Sequence, residues 1–425
     1  MKVEEYTKFR AKAVLSGGIG NVMEWYDFAV YGYLASTISG LFFPSENPLA
    51  ALTNTFLLFA IGFIARPLGA FVIGHYGDKA GRKNALVLTV SLMALGTLLL
   101  GIMPTYSVIG VWAPIGVAIA RLIQGFSAGG EWGGSTSFMV EYAAERRRGY
   151  IGSWQQVTVA TGLLLGSITG MFATLLPQDI LESWGWRLPF IIGAVLIGLI
   201  GFYLRLRVPE TPKFVEIESA GQKSTSPLAE VIKKNYKEIL LALGFTVVWT
   251  VTYYMFLTYM PSYASVVLKL PSFQAFLSSS INLAVFIILI PVFGYLSDKY
   301  GRKPFLIASS AGFLVLTYPL LYIAGFGIQY LFLSQLIIAI MLAMFSGPGP
   351  AAIAEIFPTR VRYSGLSIGY NIAVAGFGGT APYIASLLIS TTGSRLSPAF
   401  YVIGSAAATL VTLLFIRETA KEALR

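Results

Sequence analysis

Five ionisable side chains stand inside otherwise apolar stretches: Glu24, Asp27, Arg66, Arg121 and Glu131. Each costs about 2.5–3.5 kcal/mol at the centre of a membrane helix, so its retention marks a task or a pairing. A carboxylate facing a guanidinium at one depth suits a proton switch. With Arg121 near, Asp27 stays ionised; when substrate or a conformational change draws Arg121 away, desolvation favours proton uptake. Asp27 is therefore the candidate proton carrier, Arg121 its counter-charge, and Glu24, one turn nearer the helix start, the competing carrier. The alternative is a permanent Asp27–Arg121 ion pair that ties two helices together. Arg66 presents a planar fork that grips a carboxylate bidentately, which favours organic anions over neutral sugars, unless Glu24 or Asp27 already fills it. Its neighbour Pro67 removes one helical hydrogen bond and leaves room for a kink. Glu131 fits a gate or a packing role equally well.

The elements that must position these groups follow from composition. The 425 residues are 56% hydrophobic and only 12% charged, against roughly 25% charged residues in a globular chain. Too few polar groups remain to coat a soluble particle. Apolar stretches of helix-spanning length, about 20 residues, run over 15–42, 50–76, 84–103, 111–140, 150–176, 187–208, 238–263, 272–297, 304–325, 328–350, 363–390 and 398–417. Twelve membrane helices are expected. At a rise of about 1.5 Å per residue, Asp27, Arg66 and Arg121 lie roughly 15–18 Å into their spans, near the middle of the hydrocarbon layer. Helical periodicity puts Glu24, Asp27 and Tyr31 on one stripe, and Arg121, Gln124, Ala128 and Glu131 on another.

The net charge of +10 does not point to nucleic acid. Of the 30 basic residues, Arg187, Lys269 and Arg395 fall on one side of the membrane, Arg66 and Arg121 within it, and all others on the side of the N-terminus. Cationic flanking loops stay in the cytoplasm, so a multi-pass protein of the cell membrane with both termini cytoplasmic is expected. Residues 1–14 do not read as a signal peptide, because the apolar run that follows is too long and holds Glu24 and Asp27. With no Cys and one His, His75, neither a metal site nor His-based catalysis is expected.

The chain also repeats itself. Gly74, Asp78, Lys79, Gly81, Arg82 and Lys83 recur at a constant offset as Gly294, Asp298, Lys299, Gly301, Arg302 and Lys303. Glu141 with Arg146 and Arg148 is matched by Glu355 with Arg360 and Arg362. The glycines allow tight turns and close helix approach. The aspartates can accept backbone N–H groups at a helix N-terminus or pair with a basic neighbour. Such bonds at one face would hold two halves together in one state and break in another. Residues 1–208 and 238–425 read as the halves, and 209–237, rich in Pro, Ser and charge, as a solvated linker.

These turns resemble the loop motif of the major facilitator superfamily. Gly20 to Tyr31 (GNVMEWYDFAVY), Arg66-Pro67, Arg121 to Gly134 (RLIQGFSAGGEWGG), Gly185 to Pro189 (GWRLP), Pro209 to Pro212 (PETP), Thr252 to Tyr263 (TYYMFLTYMPSY) and Gly378 to Ala385 (GGTAPYIA) are similar to its metabolite:H⁺ symporter family. That family includes proton-driven importers of citrate, 2-oxoglutarate, shikimate, proline and betaine. The resemblance implies an all-α membrane fold of two pseudo-symmetric six-helix bundles with a central site and alternating access. It implies a substrate carboxylate at Arg66, and it favours Tyr254 and Asn371 among the neutral polar residues of the second half. The osmosensory branch carries a long C-terminal coiled coil; this sequence ends at Arg425, so osmosensing is not expected.

The function expected is a proton-coupled symporter importing a small organic anion or zwitterion, with the proton as coupling ion, no cofactor, and a monomer in the lipid bilayer. Substrate contacts are expected from Arg66, Gln124, Tyr254, Asn371 and Asn282, with Tyr253, Tyr259 and Gln335 also available for polar contact or interhelical packing. Trp184 and Trp186 read as interface anchors, and Gly347 to Pro350 as a bend in the tenth span. A sugar transporter, proton-coupled or facilitative, and a proton-driven exporter are the alternatives. Helix 7 lacks Gln, which weighs against sugar, and two midplane arginines weigh against drug export. An enzyme would need a nucleophile with a base, and the chain supplies none.

Overall fold

The computed structural model describes residues 18, 20–45, 47–80, 82–141, 143, 146–173, 175–207, 233–358 and 362–424. Twelve helical passes follow one another, with no strand among the described residues. In the first half they are α1 (20–33 and Ala35–Phe42), α2 (Pro48–Ile64 and Arg66–Ala80), α3 (Arg82–Ile102), α4 (Trp112–Ala128 and Trp132–Glu141), α5 (Arg148–Ala173) and α6 (Leu188–Ile192 through Gly198–Arg207). In the second half they are α7 (Tyr236–Val267), α8 (Ser272–Tyr300), α9 (Lys303–Ala324), α10 (Ile328–Ile356), α11 (Arg362–Ala373 and Ala381–Thr392) and α12 (Pro398–Phe415). Among the described residues, nine helices are long and apolar enough to cross a membrane by themselves.

Burial is inverted relative to a soluble protein. Large apolar side chains such as Ile64, Leu68, Phe71, Leu199, Ile288 and Leu414 face outward, while Arg66, Arg121 and Gln124 are 0% exposed. Lipid accepts the first set and protein must satisfy the second. Trp186 belongs inside: it is buried against Phe42 and Phe190, so it is no interface anchor, whereas Trp184 is exposed.

Local sequence sets the breaks that shape the interior. Asn47 caps α2 by accepting from Leu49 N at 3.0 Å and Ala50 N at 3.4 Å, and Pro48 follows at the first helical position. The bend expected in the tenth span is a turn at Gly347 and Pro348 between Ile328–Ser346 and Gly349–Ile356. α7 carries π-helical turns at Tyr254–Tyr259 and Tyr263–Val267, and α11 one at Val374–Gly378. Such turns displace the groups around them, and those starting at Tyr254 and Val374 begin at or just beyond residues of the centre.

Within the first half, α2 and α4 cross with backbones nearly touching. A Cβ on Gly125 would lie 1.5 Å from Gly62 O, and one on Gly129 2.0 Å from Arg66 O, so only glycine fits at either position. This crossing brings Arg66 and Arg121 into one neighbourhood. The halves meet along α5 and α8: Gly149 packs on Gly294 near the face where α12 ends, and Ser167 and Ser280 share a hydrogen bond of 2.8 Å towards the other. The Tyr33 hydroxyl of α1 donates to Leu257 O of α7.

Candidate functional site

Arg66 pairs with Glu24, Nη2 to Oε1 at 3.0 Å, with both side chains at most 2% exposed. Of the two partners open to Arg66 in the sequence, the structure selects Glu24. Arg66 Nε also donates to Asn371 Oδ1 at 3.2 Å, and Asn371 Nδ2 donates to Gly129 O at 3.2 Å and Ser367 O at 2.8 Å. Asn371 is thus brought from α11 onto the charged centre of the other half.

Asp27 and Arg121 form no direct hydrogen bond or ion pair. The direct ion pair read from the sequence is replaced by a relay: Arg121 Nη1 donates to Gln124 Oε1 at 2.8 Å, Gln124 Nε2 donates to Thr97 Oγ1 at 2.8 Å, and Thr97 Oγ1 donates to Asp27 Oδ2 at 2.6 Å. Three rings surround the Arg121 guanidinium, Phe28 at 4.6 Å, Tyr31 at 4.7 Å and Phe59 at 5.0 Å, and with Gln124 Oε1 they compensate its charge without a direct carboxylate contact. Gln124, expected to touch substrate, is occupied inside the relay. Thr97 was not singled out in the sequence, because a threonine in a membrane helix carries no charge signal.

A small pocket lies between the halves, lined by Trp25, Gln156, Val159, Trp249, Thr250, Tyr253, Tyr254 and Tyr370. Trp25 stacks on Tyr254 at 5.6 Å and meets Tyr253 edge-on at 5.5 Å; Trp249 meets Tyr370 edge-on at 6.4 Å. Trp25 Nε1, Thr250 Oγ1, Tyr253 Oη and Tyr254 Oη are buried with no hydrogen-bond partner among the described residues. Tyr254 is where the family resemblance placed it. Trp25, Trp249 and Tyr370 were missed, although Trp25 sits between Glu24 and Asp27 on α1 and could have been found from that position. Asn282 is elsewhere: with Phe256, Ser279 and Gln335 it lines a second pocket inside the second half, and its Nδ2 donates to Ser278 O at 2.9 Å. Tyr259 accepts from Ser386 at 3.1 Å, outside the central pocket. Glu131 is buried near the turn between the two segments of α4.

At the face where α12 ends, the second copy of the repeated turn joins the halves. Asp298 of α8 accepts from Gly149 N at 2.8 Å and Tyr150 N at 2.9 Å, the first turn of α5. Arg302 pairs with Asp298 at 2.8 Å and with Glu355 at 3.4 Å, and Arg148 pairs with Glu355 at 3.1 Å. Burial works against the Arg302 charge, but the Glu355 and Asp298 carboxylates outweigh it and hold the guanidinium above its ordinary range. Gly301 has φ +106°, which only glycine adopts readily, and Glu418 beyond α12 accepts from the N–H groups of Arg302 and Lys303, each at 2.9 Å. Arg362 donates to Ala354 O at 2.8 Å and Phe357 O at 3.0 Å, which ties down the end of α10. In the first copy, Gly81 lies outside the described residues, and so do the surroundings of Gly74, Asp78, Arg82 and Glu141.

Helices that bury charge at mid-depth, between halves held by breakable bonds at one face, define a membrane carrier. Comparison agrees. Residues 14–235 match the family model for "Sugar (and other) transporter", and residues 275–425 match that for "Major Facilitator Superfamily". The glycine betaine/proline/ectoine/pipecolic acid transporter OusA of Dickeya dadantii (strain 3937) is 36% identical over 97% of this chain and 84% of its own length. The proline/betaine transporter of Escherichia coli (strain K12) is 35% identical over 97% and 85%. The xylose transporter XylE from E. coli in a partially occluded inward open conformation superposes with a TM-score of 0.76 at 19% identity, covering 98% of this chain and 100% of that one. XylE bound to 6-bromo-6-deoxy-D-glucose gives 0.78 at 19%, covering 98% of each. At that identity the structures bear on the fold alone. The chain belongs to the major facilitator superfamily: it is a multi-pass membrane transporter and not an enzyme.

Proposed function

We propose that this protein is a proton-coupled symporter of the cell membrane that imports a compact zwitterion, one bearing a carboxylate and an ammonium group, by alternating access. The observation that carries this reading is the central aromatic box with its buried, unpartnered donors on Trp25, Thr250, Tyr253 and Tyr254. Aromatic faces attract cations, quaternary ammonium above all. The indole N–H and the hydroxyls are donors left over for a carboxylate. Beside the box, the Glu24–Arg66 pair offers both signs of charge, so a ligand carrying both adds no net buried charge. A simple organic anion is less well served, because Glu24 already holds the guanidinium it would seek. The relatives named above, transporters of betaine, proline and ectoine among other compounds, support the same class.

In this reading Asp27 carries the proton, Arg121 is its counter-charge at one remove, and Arg66 with Asn371 couples ligand binding to the approach of α11. The Asp298, Arg302, Glu355 and Arg148 network is the cytoplasmic gate, and both termini are cytoplasmic. A single chain with no cofactor besides the proton carries the pathway.

The test is uptake of radiolabelled glycine betaine by the purified protein in liposomes under an inside-alkaline pH gradient. Gradient-dependent accumulation, competed by proline and not by xylose or 2-oxoglutarate, is the expected result. Competition by xylose or 2-oxoglutarate alone overturns the zwitterion.

A further inference from the structure

The relay between Arg121 and Asp27 admits one wiring. Arg121 has donors only, so the Gln124 amide must turn Oε1 towards it and Nε2 towards Thr97, as the 2.8 Å contacts on both sides show. Thr97 Oγ1 therefore accepts on one lone pair whatever the charge of Asp27. Its single hydrogen has two acceptors in reach: Asp27 Oδ2 at 2.6 Å, and Met93 O, one turn back on α3, at 3.0 Å. Thr97, Gln124 and Arg121 are fully buried, so water cannot stand in for any of these bonds. Other buried threonines, Thr55, Thr246 and Thr317 among them, bond the carbonyl one turn back; Thr97 has a carboxylate as well.

We infer that Thr97 is a hydrogen-bond rotor that keeps Asp27 satisfied in both of its protonation states; this rests on Asp27 being the proton carrier. With Asp27 ionised, the Thr97 hydroxyl donates to Oδ2. When a proton adds to Oδ2, the hydroxyl swings its hydrogen to Met93 O, and the new carboxyl O–H donates to the lone pair thus freed on Thr97 Oγ1. No covalent bond changes besides the O–H formed at Asp27. The Gln124 donation and the Arg121 bond persist through both states, so the counter-charge is held while the proton comes and goes. Without the rotor, one of the two states buries a polar group with no partner.

The other groups facing Asp27 leave this task to Thr97. From α4 comes Arg121, which acts through Gln124. On α1 itself, the Tyr26 hydroxyl donates to Pro189 O at 3.1 Å and the Tyr31 hydroxyl to Thr55 O at 3.1 Å. Glu24 is turned to Arg66. From α6 the Gly193 backbone approaches: a Cβ there would lie 3.0 Å from Asp27 Oδ1.

The experiment is an infrared pH titration of the full chain in lipid without substrate, following the protonated-carboxyl band that disappears in Asp27→Asn. Thr97→Val should raise the pH midpoint of that band by roughly one unit, because the ionised form loses a charge-assisted hydrogen bond while the protonated form loses only a weaker neutral one. Thr97→Ser, which keeps a turning hydroxyl, should stay at the wild-type midpoint. Thr97→Ala carries the same expectation as Val if the valine variant does not fold. An unmoved midpoint in Val and Ala overturns the rotor, even if both lower thermal stability, since a packing role alone does that. A Ser variant displaced as far as Val overturns it too. If no band depends on Asp27, the carrier assignment itself falls and takes the rotor with it, an outcome distinct from an Asp27 band that Thr97 fails to move.

Discussion

The two halves share a fold and divide the chemistry. At the centre, α1, α2 and α4 bury Glu24, Asp27, Arg66 and Arg121, while α7, α8, α10 and α11 bury Tyr253, Tyr254, Asn282, Gln335 and Asn371; the buried charges of the second half, Arg302, Glu355 and Arg362, lie at the gate. A buried charge responds strongly to a proton or a ligand, because its partner's state decides whether it is compensated. A buried amide or hydroxyl carries no charge of its own and changes its bonds only when a titrating neighbour does. The first half is thus built to titrate and the second to grip and to move, and they meet chemically where Asn371 bonds Arg66 at 3.2 Å.

The largest effect that would break this division is at Asp27. Asp27→Asn should abolish accumulation of glycine betaine driven by a pH gradient, while exchange of labelled for unlabelled betaine across the same liposomes survives. Driven uptake in that variant would move the titrating group out of the first half or onto Glu24. Next in size is Glu24→Gln, which leaves the Arg66 guanidinium buried without its carboxylate. A loss of about 3–5 kcal/mol of stability is expected from stranding one member of a buried pair. The double variant Glu24→Gln, Arg66→Gln should regain most of it, read by thermal unfolding in one detergent. No recovery would mean that the pair is not what balances the centre.

How far the sequence discloses this centre depends on the kind of residue. Glu24, Asp27, Arg66 and Arg121 are legible because each interrupts an apolar run, and the second gate turn because Gly294, Asp298, Gly301 and Arg302 repeat an earlier spacing. The twelve passes are legible from apolar length. Partner choice is not. Glu24 and Asp27 are one turn apart on one stripe, yet Glu24 reaches α2 and Asp27 reaches Thr97 on α3. That outcome is set by how α1 is rotated against its neighbours, which side-chain spacing along one helix does not contain. The same limit explains Arg121: its ring partners come from α1 and α2, and only their assembly shows that the guanidinium is compensated without a direct carboxylate contact. Trp184 and Trp186 show it on the smallest scale, since a single residue, Gly185, separates an exposed tryptophan from a buried one.

The smallest effect expected is at Asn282, and it sharpens the comparison from the neutral side. Asn282 sits in the second pocket with Ser279 and Gln335, away from the aromatic box. Its Nδ2 donates to Ser278 O at 2.9 Å and Phe332 O at 3.5 Å, while its Oδ1 is buried with no partner among the described residues. Asn282→Ala removes two modest bonds and one costly unmet acceptor together. Interhelical hydrogen bonds in membranes average only about 0.6 kcal/mol, and an unsatisfied buried group costs about 1–3 kcal/mol, so the two contributions nearly cancel. Thermal stability should change by less than about 1 kcal/mol, and the half-saturating concentration for glycine betaine should not move. A large loss of betaine affinity in Asn282→Ala would extend the binding site from the aromatic box deeper into the second half, to the pocket between α7, α8 and α10, and the neutral, gripping half would then hold the ligand at two points.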